Sequence, residues 1–137
     1  MSDPTPTEAT PVHRFCWTEL MTRDVEAAKD FYSRLFGWTF VASPFSSDYW
    51  VAHLGNEPVA GLFRMEGEAF DGIPPHWFSH IAVPDVDAAM DAVQAAGGTV
   101  LRPPFDVGPY RIAILQDASG AALGIVHVRE APAEPQG

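Results

Sequence analysis

One short phrase is written twice in this chain. Asp24-Val25-Glu26-Ala27-Ala28 returns about sixty residues later as Asp85-Val86-Asp87-Ala88-Ala89. An apolar strand-like run precedes each copy, and Gly37 and Gly98 follow at the same distance behind. Aspartate is a strong helix N-cap, because its carboxylate accepts from backbone amides that have no partner inside the helix. Glycine reaches the left-handed geometry that ends a helix. The chain therefore reads as one strand–helix unit used twice, which excludes folds without internal symmetry.

Periodicity extends each copy into the same order of elements. In the first, residues 14–21 alternate as a strand, with Phe15, Trp17, Glu19 and Met21 on one face and Cys16, Thr18 and Leu20 on the other. Ala27, Ala28, Phe31, Leu35 and Phe36 recur at helical spacing behind Asp24. Strands are expected at 38–42, 49–54 and 59–65, with a turn at 55–58. A Gly- and Pro-rich linker follows at 67–75. The second copy predicts strands at 78–83, 99–101, 110–116 and 122–128, and a helix from Asp85 that stops at Gly97-Gly98. Pro103-Pro104 and Gly108-Pro109 are expected to bracket a loop.

The expected fold class is thus α+β, with two tandem β-α-β-β-β modules. Neither half is large enough to bury its own sheet. The expectation is a curved, cup-like mixed sheet with helices outside and a concave ligand face within. Module one spans 13–66 and module two 76–130 of a single domain at 13–130, with loose tails at 1–12 and 131–137.

Composition narrows the function classes. At 137 residues and 47 % hydrophobic the chain suits one domain with a proper core. A net charge of −10 argues against nucleic-acid or anionic-membrane partners, since phosphates demand clustered Lys and Arg. Charged residues interrupt every long apolar stretch, so no membrane span is expected. No basic region and apolar run opens the sequence, which predicts no secretory signal. Cys16 is the only cysteine, so no internal disulfide can form, in keeping with a cytoplasmic location.

The stretches Trp17-Thr18-Glu19-Leu20, Asp24 with Phe31-Tyr32, Leu35-Phe36-Gly37-Trp38, Val83-Pro84-Asp85-Val86-Asp87, Gly97-Gly98 and Asp117-Ala118-Ser119-Gly120-Ala121 occur in the order and spacing of a known family. The chain resembles the vicinal oxygen chelate superfamily, which includes glyoxalase I, the bleomycin-resistance proteins and the extradiol dioxygenases. The resemblance covers residues 14–127. Metal-using members take ligands from the first and last strand of each half, and the resemblance places these at Trp17, Gly61, His80 and Gly124. Only His80 carries a donor, whereas a catalytic divalent site needs three or more. The resemblance therefore implies a metal-lacking branch, common in actinobacteria, whose members are often double length. This chain looks like one of their two domains, with no metal and no cofactor expected, and the family implies a homodimer.

Two residues stand out for chemistry. His80, on the inward face of a central strand, could act as a general base or hydrogen-bond a ligand. The alternative is a structural histidine tied to the backbone. Glu19 lies among aromatics, where burial disfavours charge, and could be an acid, a base or an anchor. Its alternative is a partner for Arg or a backbone amide. With His53, these two could also complete a weak metal site. Trp17, Trp50, Phe63 and Trp77 are candidate walls of an aromatic pocket, with core packing as the alternative. Gly61 and Gly124 are expected to leave room for a wider cavity floor. Tyr110 and Arg111 are placed at the pocket rim, and Cys16 against the helix layer.

The resemblance implies a protein that binds a small aromatic or polycyclic molecule without a catalytic metal. The alternative is a metal-independent isomerase, cyclase, epoxide-opening enzyme or cofactor-free oxygenase using Glu19 and His80. A metal-dependent lyase or dioxygenase ranks third.

Overall fold

A computed structural model describes residues 11–129. The tail expectations at 1–10 and 131–137 lie outside the described residues. Eight strands and two α-helices follow in the order β1 (Phe15–Thr22), α1 (Val25–Phe36), β2 (Thr39–Ala42), β3 (Tyr49–Leu54), β4 (Glu57–Arg64), β5 (His76–Ala82), α2 (Val86–Ala95), β6 (Thr99–Val107), β7 (Tyr110–Gln116) and β8 (Ala122–Val128). A single turn of 3-10 helix, Glu68–Phe70, interrupts the segment between β4 and β5. The class is α+β and the order β-α-β-β-β occurs twice. Among the described residues no helix is long and apolar enough to cross a membrane.

The chain divides into two compact units. The first is Trp17–Phe78, and the second combines residues 11–16 with 79–129. The first orders its strands β2-β3-β4-β1, with β1 parallel to β4 and the other pairs antiparallel. The second orders them β5-β8-β7-β6, with β5 parallel to β8.

Each unit is built on the repeated phrase. Asp24 accepts from the Ala27 amide at 3.0 Å and Asp85 from the Ala88 amide at 3.1 Å. The valine after each cap is the pivot of its core: Val25 is 1 % exposed and Val86 0 %. Burying such a side chain contributes roughly 1.5–3 kcal/mol. Val25 packs with Leu20 and Leu62, backed by Ala28, Tyr32, Phe40 and Trp50. Val86 packs with Ala113, Leu115 and Ile125, backed by Met90, Val93 and Leu123 among others. Helix α1 ends on Gly37 in the left-handed region (φ 76°), whose amide donates to the Ser33 carbonyl at 2.9 Å. Helix α2 ends one residue earlier than the repeat predicts, capped by Ala96, and Gly97 takes the left-handed turn.

One expected loop is a strand. β6 runs through Pro103-Pro104, where its pairing with β7 shifts register between Val100 and Arg102 and again between Arg102 and Phe105. Proline cannot donate to a ladder, but β6 is the outer strand of its unit, and a register shift tolerates the missing donor.

Candidate functional site

In the first unit the two faces of the sheet differ sharply. The face under α1 is closed: Leu20, Ala52, Ala60 and Leu62 are each at most 9 % exposed. The opposite face carries Trp17, Glu19, Tyr49, Val51 and Phe63, all half-buried. Pairing aligns them, since Glu19 stands opposite Gly61, and Tyr49 and Met21 opposite Phe63.

A hydrogen-bonded relay crosses this face. The Trp17 Nε1–H donates to Tyr49 Oη at 2.7 Å, and the Tyr49 hydroxyl donates to Glu19 Oε1 at 2.6 Å. The second bond has the short length of a hydroxyl–carboxylate pair. Tyr49 can lie there because position 61 is glycine. A Cβ built on Gly61 would stand 2.5 Å from Tyr49 Cζ, closer still to the hydroxyl oxygen, and 3.0 Å from Trp17 Nε1.

The second unit repeats the arrangement with different chemistry. His80 is 5 % exposed and stands opposite Gly124. A Cβ on Gly124 would fall 2.6 Å from His80 Nε2 and closer to Cδ2. The Cys16 thiol lies 3.7 Å from the His80 carbonyl oxygen, and burial pushes its pKa up. Nearby, His127 Nδ1 accepts from the Val86 amide at 2.9 Å, tying β8 to the start of α2.

Two expectations are corrected by this geometry. Gly61 and Gly124 do not leave open room, because the Tyr49 hydroxyl and the His80 ring fill it. Nor are Trp17 and His80 equivalent. Glu19 and His80 each stand opposite a glycine of the last strand of their half, and each lies five residues before its helix-capping aspartate. By the same count the counterpart of Trp17 is Phe78. The donor chemistry expected of a resident metal is missing on either alignment, since Gly61 and Gly124 offer no side-chain donor and their space is taken. Among the described residues no three His, Cys, Asp or Glu side chains gather in a metal-holding group. The residues present do not fit such a site.

The remaining candidates divide by face and unit. Phe63 is on the open face, with its ring 5.7 Å from that of Phe70. Alternation along β3 puts His53 on the same side, its Nδ1 3.3 Å from the Val51 carbonyl. Trp50 and Trp77 are not brought to this face. Trp50 packs into the core beneath α1, with Lys29 Nζ 4.5 Å from its ring centroid. Trp77 meets Tyr32 of α1 edge-on at 5.6 Å, and Tyr32 in turn stacks on Trp38. Tyr110 opens β7 in the second unit, opposite Val107 and Val128. Arg111 is held by Asp87 at 2.8 and 3.0 Å and by Asp106 at 3.1 Å.

Comparison with known proteins follows the same lines. The sequence pattern of the Glyoxalase/Bleomycin resistance protein/Dioxygenase superfamily matches residues 14–125. CFP32 of Mycobacterium tuberculosis, a glyoxylase by name, is 42 % identical over 113 residues, covering 80 % of this chain and 43 % of that protein. The anthracycline biosynthesis protein DauV of a Streptomyces species is 35 % identical over 123 residues, covering 80 % of this chain and 45 % of its own length. The chain thus spans under half the length of these curated relatives. Among solved structures, a variant of Streptomyces coelicolor methylmalonyl-CoA epimerase in complex with 2-nitronate-propionyl-CoA superimposes with a TM-score of 0.63. At 17 % identity, covering 88 % of this chain and 100 % of that one, it bears on the fold alone.

Proposed function

The chain belongs to the Glyoxalase/Bleomycin resistance protein/Dioxygenase superfamily, and from that premise we propose that it binds a small aromatic or polycyclic molecule without a metal of its own. The observation that carries the reading is the open sheet face of the first unit. Flat rings of Trp17 and Phe63 flank a fixed polar centre, Tyr49 and Glu19. An apolar wall with a few oriented polar groups is the usual make-up of a small-molecule site. The kinship with a protein named for anthracycline biosynthesis supports a fused-ring ligand. The reading takes residues 13–130 as one domain, working in the cytoplasm as a homodimer.

The test is titration with anthraquinone, followed by tryptophan fluorescence. Saturable quenching is expected, weakened in Trp17→Phe and unchanged after dialysis against EDTA. Quenching that never saturates, or that disappears with the chelator, overturns the reading. Mass spectrometry of molecules that co-purify then identifies the natural ligand.

One observation favours a second reading as an enzyme. The Tyr49 hydroxyl, 2.6 Å from Glu19, orients a carboxylate that could move a proton in an isomerisation, cyclisation, epoxide opening or cofactor-free oxygenation. His80 would be the second acid–base group. Turnover lost in Glu19→Gln or His80→Ala, with ligand binding kept, separates this reading from binding alone.

A further inference from the structure

The relay Trp17–Tyr49–Glu19 has a direction, and the direction selects a ligand. Indole offers one proton and no acceptor. That proton goes to Tyr49 Oη. The tyrosine's single proton goes to Glu19 Oε1. A carboxylate has no proton to pass on. Every proton of the relay is therefore directed inward along it, and the relay meets a further group with oxygen lone pairs only. A ketone, ether, nitro or carboxylate oxygen placed there would set lone pair against lone pair. A hydroxyl would be accepted, and most strongly by the carboxylate.

The sheet holds this polarity in place. Tyr49 is wedged over Gly61, where any larger residue would push it off the relay. It is also the direct cross-strand neighbour of Phe63 on the same face. The hydroxyl acceptor thus sits beside flat apolar rings.

We propose that Tyr49 and Glu19 form a specificity site for hydroxylated aromatic compounds, reading a phenolic hydroxyl and rejecting its ether or keto counterpart. The inference rests on the small-molecule reading above and names its ligand class. Tyr49 acts as a positioning residue: it fixes Glu19 Oε1 and turns its own remaining acceptor outward.

The experiment compares hydroxyanthraquinone with its methyl ether by isothermal titration of the whole chain. The unmodified protein is expected to bind the hydroxyl form about tenfold or more tightly, the scale of a hydrogen bond to a charged acceptor. Glu19→Gln, which keeps shape but adds an N–H donor, is expected to erase the preference. Tyr49→Phe keeps its direction, since the carboxylate remains, and reduces it by about threefold, as expected for one neutral hydrogen bond. Circular dichroism establishes that each variant is folded. Equal binding of both compounds by the unmodified protein overturns this inference and leaves the small-molecule reading standing. Binding of neither overturns both. A preference that survives Glu19→Gln intact also overturns the assignment to this site.

Discussion

The His80 ring occupies the space that a side chain at Gly124 would need. A Cβ there would lie 2.6 Å from Nε2, against a histidine only 5 % exposed. The backbone of Gly124 does not itself call for glycine, so the constraint is steric. Gly124→Ala is expected to destabilise the protein by about 1–3 kcal/mol, as overpacking of a filled interior does. His80→Ala removes the obstacle, so the double variant is expected to be more stable than the sum of the single losses allows. Urea denaturation of the four proteins measures the coupling, and strict additivity would show that the ring is free to move aside.

The first unit makes the parallel case. Tyr49→Phe removes a hydroxyl that serves both Trp17 and Glu19. The expected loss is about 1–2 kcal/mol, because two half-buried polar groups lose a partner at once. Gly61→Ala forces the same ring away and is expected to cost at least as much. Thermal denaturation that leaves both variants at the parent's midpoint would contradict the relay.

The two capping aspartates provide a test of the repeat. Asp24→Ala and Asp85→Ala are each expected to lose about 1 kcal/mol, since each leaves a helix amide without its acceptor. Asparagine at either position retains most of the stability, because its side-chain oxygen accepts in the same way. Chemical denaturation of the four variants decides the matter.

Acid is expected to weaken the second unit through two carboxylates. Hydrogen bonds from Arg111 hold Asp87 below the usual aspartate range. The Ser119 hydroxyl does the same for Asp117, helped by the Ala121 and Ser119 amides. Both groups titrate lower when folded than when unfolded. Their stabilisation is complete above the ordinary aspartate pKa of about 4 and fades as pH falls below it. Asp117→Ala is expected to shallow the acid limb of a stability-against-pH curve and leave its neutral part parallel to the parent's. An acid limb of unchanged slope would dismiss Asp117 as a contributor.

Periodicity and capping chemistry alone determined the class of fold. The repeated aspartates, the valines behind them and Gly37 are local signals, and each does in the structure what its residue type prescribes. Tertiary structure decided what stands on the open face, because strand pairing settles that and pairing is not local. Counted straight back from Leu54 opposite Glu57, the β3–β4 hairpin would set Tyr49 against Leu62, on the helix side. A register shift between Ala52 and His53 sets it against Phe63 and beside Gly61 instead, and turns Trp50 to the core. One extra residue reverses the facing of everything beyond it. That is why Tyr49 could not be picked out from the sequence, while Glu19, fixed by the simple alternation of β1, could. The same physics separates Trp17 from His80: only the pairing of each first strand with its glycine identifies which residues correspond.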